Sequence, residues 1–152
     1  MNTQLLKRLY NIYSPSGKEQ EMIKFLSAYI RTLPGRVALT QDRYGNLYAV
    51  KGESDTYPCL VSHIDQVAHC NRSKDFKAVE TRDIIFGFSP GKKRFENLGA
   101  DDKNGIFICL ECLYNPQNEM FRLLGTKRSF SQNETFFFSH PYPALFRLIS
   151  HF

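Results

Sequence analysis

Apolar residues near the start of the chain recur at helical spacing. In "TQLLKRLYNIY" Leu5, Leu6, Leu9 and Ile12 fall on one helical face, and "SPSG" then breaks the pattern. A second stripe, Met22, Ile23, Leu26, Tyr29, Ile30 and Leu33, stops at Pro34-Gly35. Just ahead of it, Ser16 and Glu19 match the S-x-x-E capping box, in which each side chain satisfies a backbone N–H at a helix start. The period then shortens. "RVALTQDRYGNLYAVKG" reads as two strands about a turn, with Val37, Leu39, Leu47, Tyr48 and Val50 as β-formers and Gly45-Asn46 as turn residues. In "YPCLVSHID" the continuous apolar run Cys59-Leu60-Val61 predicts a strand buried on both faces, with polar residues appearing abruptly at Ser62, His63 and Asp65. Ile84, Phe86 and Phe88 alternate in "DFKAVETRDIIFGFSP", which predicts further extended structure before Ser89-Pro90-Gly91. After a polar loop, Ile106, Cys109, Leu110 and Leu113 return to helical spacing, with Asp101 and Asp102 at the start of the run. Helical and strand patterns interleaved in this way predict an α/β fold.

The pattern changes after Tyr114. Residues 115–152 hold 8 of the 21 aromatic residues but only two of the 15 acids, Glu119 and Glu134, and one of the nine glycines. "FFFSHPYPALFRLISHF" has neither clean helical nor clean strand periodicity. The reading is therefore a domain over residues 1–114 and an atypical tail, out of frame or disordered, over 115–152.

With 152 residues and 42% hydrophobic composition, the chain is long enough to bury a core. Its 20 Lys and Arg against 15 Asp and Glu leave +5, but the only basic run is Lys92-Lys93-Arg94. Nucleic-acid binding needs clustered positive charge with a reading or stacking module, so no nucleic-acid partner is expected. No apolar stretch approaches the ~18 residues of a membrane span, and "MNTQLLKRLY" lacks a signal-peptide core. The expectation is a cytoplasmic chain whose four cysteines, Cys59, Cys70, Cys109 and Cys112, stay reduced.

Two short constellations carry candidate chemistry. In "SHID", His63 can bind a metal through one ring nitrogen while Asp65 takes the other N–H and fixes the tautomer. H-x-D alone is common, and a strand-end His in ordinary polar contacts is the simpler reading. Asp101-Asp102 is the second. One carboxylate can bridge two cations about 3.5–4 Å apart, but an isolated D-D before a helix reads more simply as an N-cap and a loop acid. Cys109 and Cys112 form a C-x-x-C inside an apolar helix, which favours core packing over redox or zinc chemistry. His69 and Cys70 lack the context of a metal site and receive no role.

Taken in order, "YSPSGKEQEMIKFL", "DRYGNLYAVKG", "CLVSHIDQV" and "ENLGADDKNGIFICLECL" resemble the N-terminal part of the co-catalytic zinc exopeptidases, the M20, M28 and M42 metallopeptidase families, over about residues 1–114. Four segments in family order outweigh either acid motif alone and reverse the two simpler readings. The resemblance implies part of a three-layer α/β fold, a mixed sheet with flanking helices, truncated here. It implies peptide hydrolysis assisted by two Zn²⁺ ions, with Co²⁺ or Mn²⁺ as alternatives, on a peptide substrate. His63 then corresponds to a metal ligand, Asp65 to its supporting carboxylate at the catalytic centre, and Asp101 to the bridging ligand, with a cis Asp101–Asp102 bond.

The chain departs from that pattern beyond Tyr114. The family's general base lies in a Glu-Glu pair, and this sequence has none. Glu134 stands 33 residues after Asp101, a family-like distance, but Thr135 follows it and its surroundings differ. His140 and His151 match no later family ligand. The expectation is an incomplete, inactive exopeptidase segment. A non-catalytic metal-binding or partner-binding module is the alternative, with self-association through open sheet edges.

Overall fold

The computed structural model describes residues 2–67, 72–116 and 121–126. The chain opens with α1 (Thr3–Asn11), capped by the Asn2 side chain, which accepts the Leu5 N–H at 3.1 Å, and continues with α2 (Gln20–Ile30). Strands β1 (Val37–Gln41), β2 (Leu47–Lys51), β3 (Cys59–His63), β4 (Lys77–Thr81), β5 (Ile84–Ser89) and β6 (Arg94–Glu96) follow. Helix α3 (Ala100–Tyr114) and strand β7 (Phe121–Thr126) complete the described elements. They form a four-stranded sheet in the order β1-β2-β7-β3 and a three-stranded antiparallel sheet in the order β4-β5-β6.

The four-stranded sheet is mixed. β1 and β2 form the expected hairpin, β2 pairs antiparallel with β7, and β7 pairs parallel with β3. A parallel pair needs a crossover connection, and α3 supplies it on the way from β3 to β7. Strand β7 falls within the 115–152 stretch set apart by composition. Residues 127–152 lie outside the described residues.

The helices share one face of this sheet. Leu47 and Ala49 on β2 join Leu5, Leu9, Met22, Leu26, Ile30, Ile106, Leu110 and Leu113 in a single buried cluster, and Val37, Leu39 and Leu60 pack against it. Side chains alternate across a strand, so the registered neighbours Ala38, Thr40, Tyr48, Val50, Cys59 and Val61 point to the opposite face.

Three sequence expectations are corrected here. β3 is not buried on both faces. It is the last strand of the sheet among the described residues, and Val61 is 54% exposed. A continuous apolar run signals only that a strand can be covered twice, and the helices cover this one once. The S-x-x-E box is not formed either: Glu19 itself is the N-cap residue of α2, its Oε1 accepts the Gly17 N–H at 2.6 Å, and Ser16 is engaged elsewhere. The second helix ends at Ile30, ahead of Pro34-Gly35, with Thr32 N–H and Leu33 N–H closing turns onto Tyr29 O and Ile30 O. No helix among the described residues is long and apolar enough to cross a membrane.

Lys51 links the sheet to the crossover helix. It lies on the inner face of β2, only 7% exposed, and its Nζ donates to Leu113 O at 2.7 Å and Asn115 O at 2.9 Å. These carbonyls sit at the negative end of the α3 dipole, where a cation is favoured. Replacing Lys51 with Met should leave them without their donor and lower stability by about 1–3 kcal/mol, read as a shift in the denaturant midpoint. An unchanged midpoint would show that the ammonium contributes nothing.

Candidate metal-binding site

The crossover brings the end of β3 against the start of α3. Ser62 faces inward, 3% exposed, and its Oγ donates to Asp102 O at 3.2 Å. His63, the last residue of β3, thereby stands beside Asp101. Between them the chain has Gly99 at φ +68, a left-handed conformation that suits glycine, and a cis peptide bond at Asp101–Asp102. The cis bond agrees with the expectation carried by the resemblance.

The two adjacent acids serve different partners. Asp102 caps the helix: its Oδ1 accepts the Gly105 N–H at 2.9 Å. Residues 101 and 102 have non-helical backbone angles, so the helix proper begins after them. Asp101 is not a capping acid. Its side chain is 75% exposed and its Oδ1 lies 2.8 Å from His63 Nε2.

The other side of the imidazole is held from below. His63 Nδ1 lies 2.9 Å from Asp65 O and 3.1 Å from Asp65 Oδ1, and the Asp65 side chain is 1% exposed. A backbone carbonyl only accepts, so Nδ1 carries the proton and donates. Nε2 is thereby left facing a carboxylate oxygen. Two acceptors at 2.8 Å require a cation between them, either a proton on Nε2 or a metal ion. This is the arrangement expected of a ligand histidine, whose second nitrogen is fixed by a carboxylate or carbonyl.

The donor types suit zinc, which takes histidine nitrogen and carboxylate oxygen. Their number does not close a site. Among the described residues no group of three or more His, Cys, Asp or Glu side chains is disposed to hold a metal ion. His69, Cys70, Glu134, His140 and His151 lie outside the described residues. Cys109 is buried, and burial pushes its thiol up to about 12, in keeping with core packing for the C-x-x-C pair.

Two contributors were not singled out in the sequence. Ser16, read as half of a capping box, instead donates its hydroxyl to Asp65 Oδ2 at 2.5 Å and so helps hold the acid that holds His63. Lys103 is 1% exposed, and burial, with the nearby Arg72 charge, pulls its ammonium down to about 7. A signal was present: Lys103, Ile106, Leu110 and Leu113 lie on one helical face, so the lysine occupies a core-facing position.

No protein-family model and no curated protein sequence matches the chain at a significant level. Solved structures do match. A tripeptidase from Staphylococcus aureus subsp. aureus Mu50 aligns over 82% of this chain and 35% of its own, with 22% identity and a TM-score of 0.62. Aminoacylhistidine dipeptidase from Vibrio alginolyticus aligns over 85% and 28%, with 20% identity and a TM-score of 0.63. Aminopeptidase PepT from Bacillus cereus ATCC 10987 aligns over 82% and 35%, with 21% identity and a TM-score of 0.62. The chain carries a partial exopeptidase fold. At these identities the likeness is one of fold, and the chain spans about a third of the length of the first of these peptidases. Within this exopeptidase fold, the residues named from the four sequence segments stand together at the junction of β3 and α3.

The Asp102 cap depends on a missing side chain. A Cβ on Gly105 would come 2.2 Å from Asp102 Oδ1 and 2.6 Å from its Cγ. Alanine normally stabilises a helix interior by about 1 kcal/mol relative to glycine, but here it displaces the capping carboxylate. Gly105→Ala should therefore destabilise by about 1 kcal/mol, measured by urea unfolding; a gain in stability would show that the cap is dispensable.

Proposed function

We propose that the chain is a segment of a metal-dependent exopeptidase, in which His63 and Asp101 donate to a divalent cation, zinc by preference, and Asp65 supports His63. The observation that carries this reading is the imidazole between two acceptors. Asp65 O and Oδ1 take the Nδ1 proton, and Nε2 meets the Asp101 carboxylate at 2.8 Å. A peptide substrate is inferred from the solved structures of similar fold, named as a tripeptidase, a dipeptidase and an aminopeptidase.

Each residue has a task on this reading. Asp65 withdraws one ring nitrogen from solvent and keeps the ring in one orientation. Ser16 donates to the second oxygen of Asp65, so that carboxylate cannot turn away. Asp101, largely exposed, places its carboxylate beside Nε2 of His63. Asp102 leaves the site to its neighbour because the helix occupies its own carboxylate. A bound cation would supply Lewis acidity toward a carbonyl. The sequence holds no Glu-Glu pair of the kind that carries the general base in the family it resembles, so we infer that this chain alone does not turn over.

Two measurements test the proposal. Calorimetric titration with Zn²⁺ should show a binding event that His63→Ala weakens about tenfold or more, and equal heats for the two proteins would remove the site. Aminoacyl chromogenic substrates with Zn²⁺, Co²⁺ or Mn²⁺ added should give no turnover above background. Robust hydrolysis that Glu134→Ala abolishes would show instead that the chain holds a complete centre.

A further inference from the structure

We infer that Lys103 is a positioning residue for His63, acting through the loops that its buried ammonium ties together. This rests on the reading of His63 and Asp101 as metal donors. Lys103 Nζ donates to Ile12 O and to Gln66 Oε1, each at 2.5 Å. Ile12 is the C-cap residue of α1, so its carbonyl belongs to the negative end of that helix dipole. Gln66 directly follows Asp65.

A second cation completes the arrangement. Arg72 Nη1 donates to Tyr10 O at 2.8 Å, and Nη2 donates to Leu98 O at 3.2 Å. Together the two side chains join three stretches: the end of α1, the turn after β3, and the approach to α3. Each stretch carries part of the candidate site. The loop after α1 continues through Ser14, whose O accepts the Gln66 N–H at 2.8 Å, to Ser16, which holds Asp65. The turn after β3 carries Asp65 itself, and the approach to α3 leads to Asp101.

The seat of Gln66 is shaped for this contact. A Cβ on Gly99 would lie 2.8 Å from Gln66 Oε1, so the glycine leaves room for the amide to reach the ammonium. The neighbouring acids are committed elsewhere, Asp65 to His63 and Ser16, and Asp102 to the Gly105 N–H. A lysine bound to carbonyls rather than to carboxylates fastens the loops without taking a charge from the site. Removing it frees Gln66 and Ile12 together, and the error passes through Asp65 to the imidazole.

The test reads the ring directly. In the full chain at about pH 9, where an ordinary imidazole is neutral and Lys103, even as an amine, keeps two N–H donors for Ile12 O and Gln66 Oε1, ¹⁵N-edited spectra report the His63 tautomer, assigned by comparison with His63→Ala. Wild type should show the Nδ1–H form alone. Lys103→Met and Gln66→Leu should each give a mixture of tautomers and weaken Zn²⁺ binding about tenfold. Leu113→Ala, which loosens the core at the far end of α3, should keep the wild-type ring signals. If Lys103→Met does not fold, Gln66→Leu decides alone. A folded variant of either kind that keeps both the single tautomer and the zinc affinity overturns the inference. Should wild type fail to bind Zn²⁺ while the tautomer still shifts in the variants, the positioning role stands and the metal reading falls.

Discussion

The hydrogen bond from His63 Nδ1 to Asp65 decides what the rest of the site can be. A carbonyl and a carboxylate oxygen on one side of the ring commit Nδ1 as a donor and leave Nε2 for the other side, where Asp101 stands at 2.8 Å. The arrangement is unfavourable without a positive charge in the gap. Much of the surrounding structure maintains it: Ser16 on the far oxygen of Asp65, Ser62 against Asp102 O, and the buried Lys103 between the loops.

The same region shows how a helix start can serve two purposes. Asp101 and Asp102 are adjacent, yet their side chains serve separate partners. Asp102 satisfies a backbone N–H of the first turn, which orients α3, and Asp101 projects beside the histidine. Gly99 and Gly105 make space on either side, one for Gln66 and one for the capping carboxylate. At the far end of the helix, Lys51 takes the last carbonyls. The crossover helix is thus held at both ends by charged groups placed on other elements or on its own first residues.

The sheet has a different character on its two faces. Leu47, Ala49 and Leu60 meet the helices, whereas Val61 and Cys59 face away and are exposed. β3, which carries the histidine, is also the last strand among the described residues. The candidate site therefore lies at the rim of the described fold, which accords with a chain spanning about a third of the length of the solved peptidases it resembles.

Local pattern was enough for several features. The helical stripes of α1, α2 and α3 and the β1–β2 hairpin follow from periodicity, because burying an apolar face requires it whatever the partner. The order of four motifs pointed to His63, Asp65 and Asp101, which the structure brings into contact. Periodicity did not reveal β7, since "FRLLGT" between unpatterned neighbours has no alternation to distinguish it, and its place comes from pairing with β2 and β3. Nor did local rules predict that Ser16 would leave its helix for Asp65, or that Lys103 would be buried on carbonyls. Sequence by itself determined which residues could do chemistry and which faces were apolar. Only the tertiary structure decided that Asp101 meets His63 at 2.8 Å, because the two lie 38 residues apart and the crossover sets their distance.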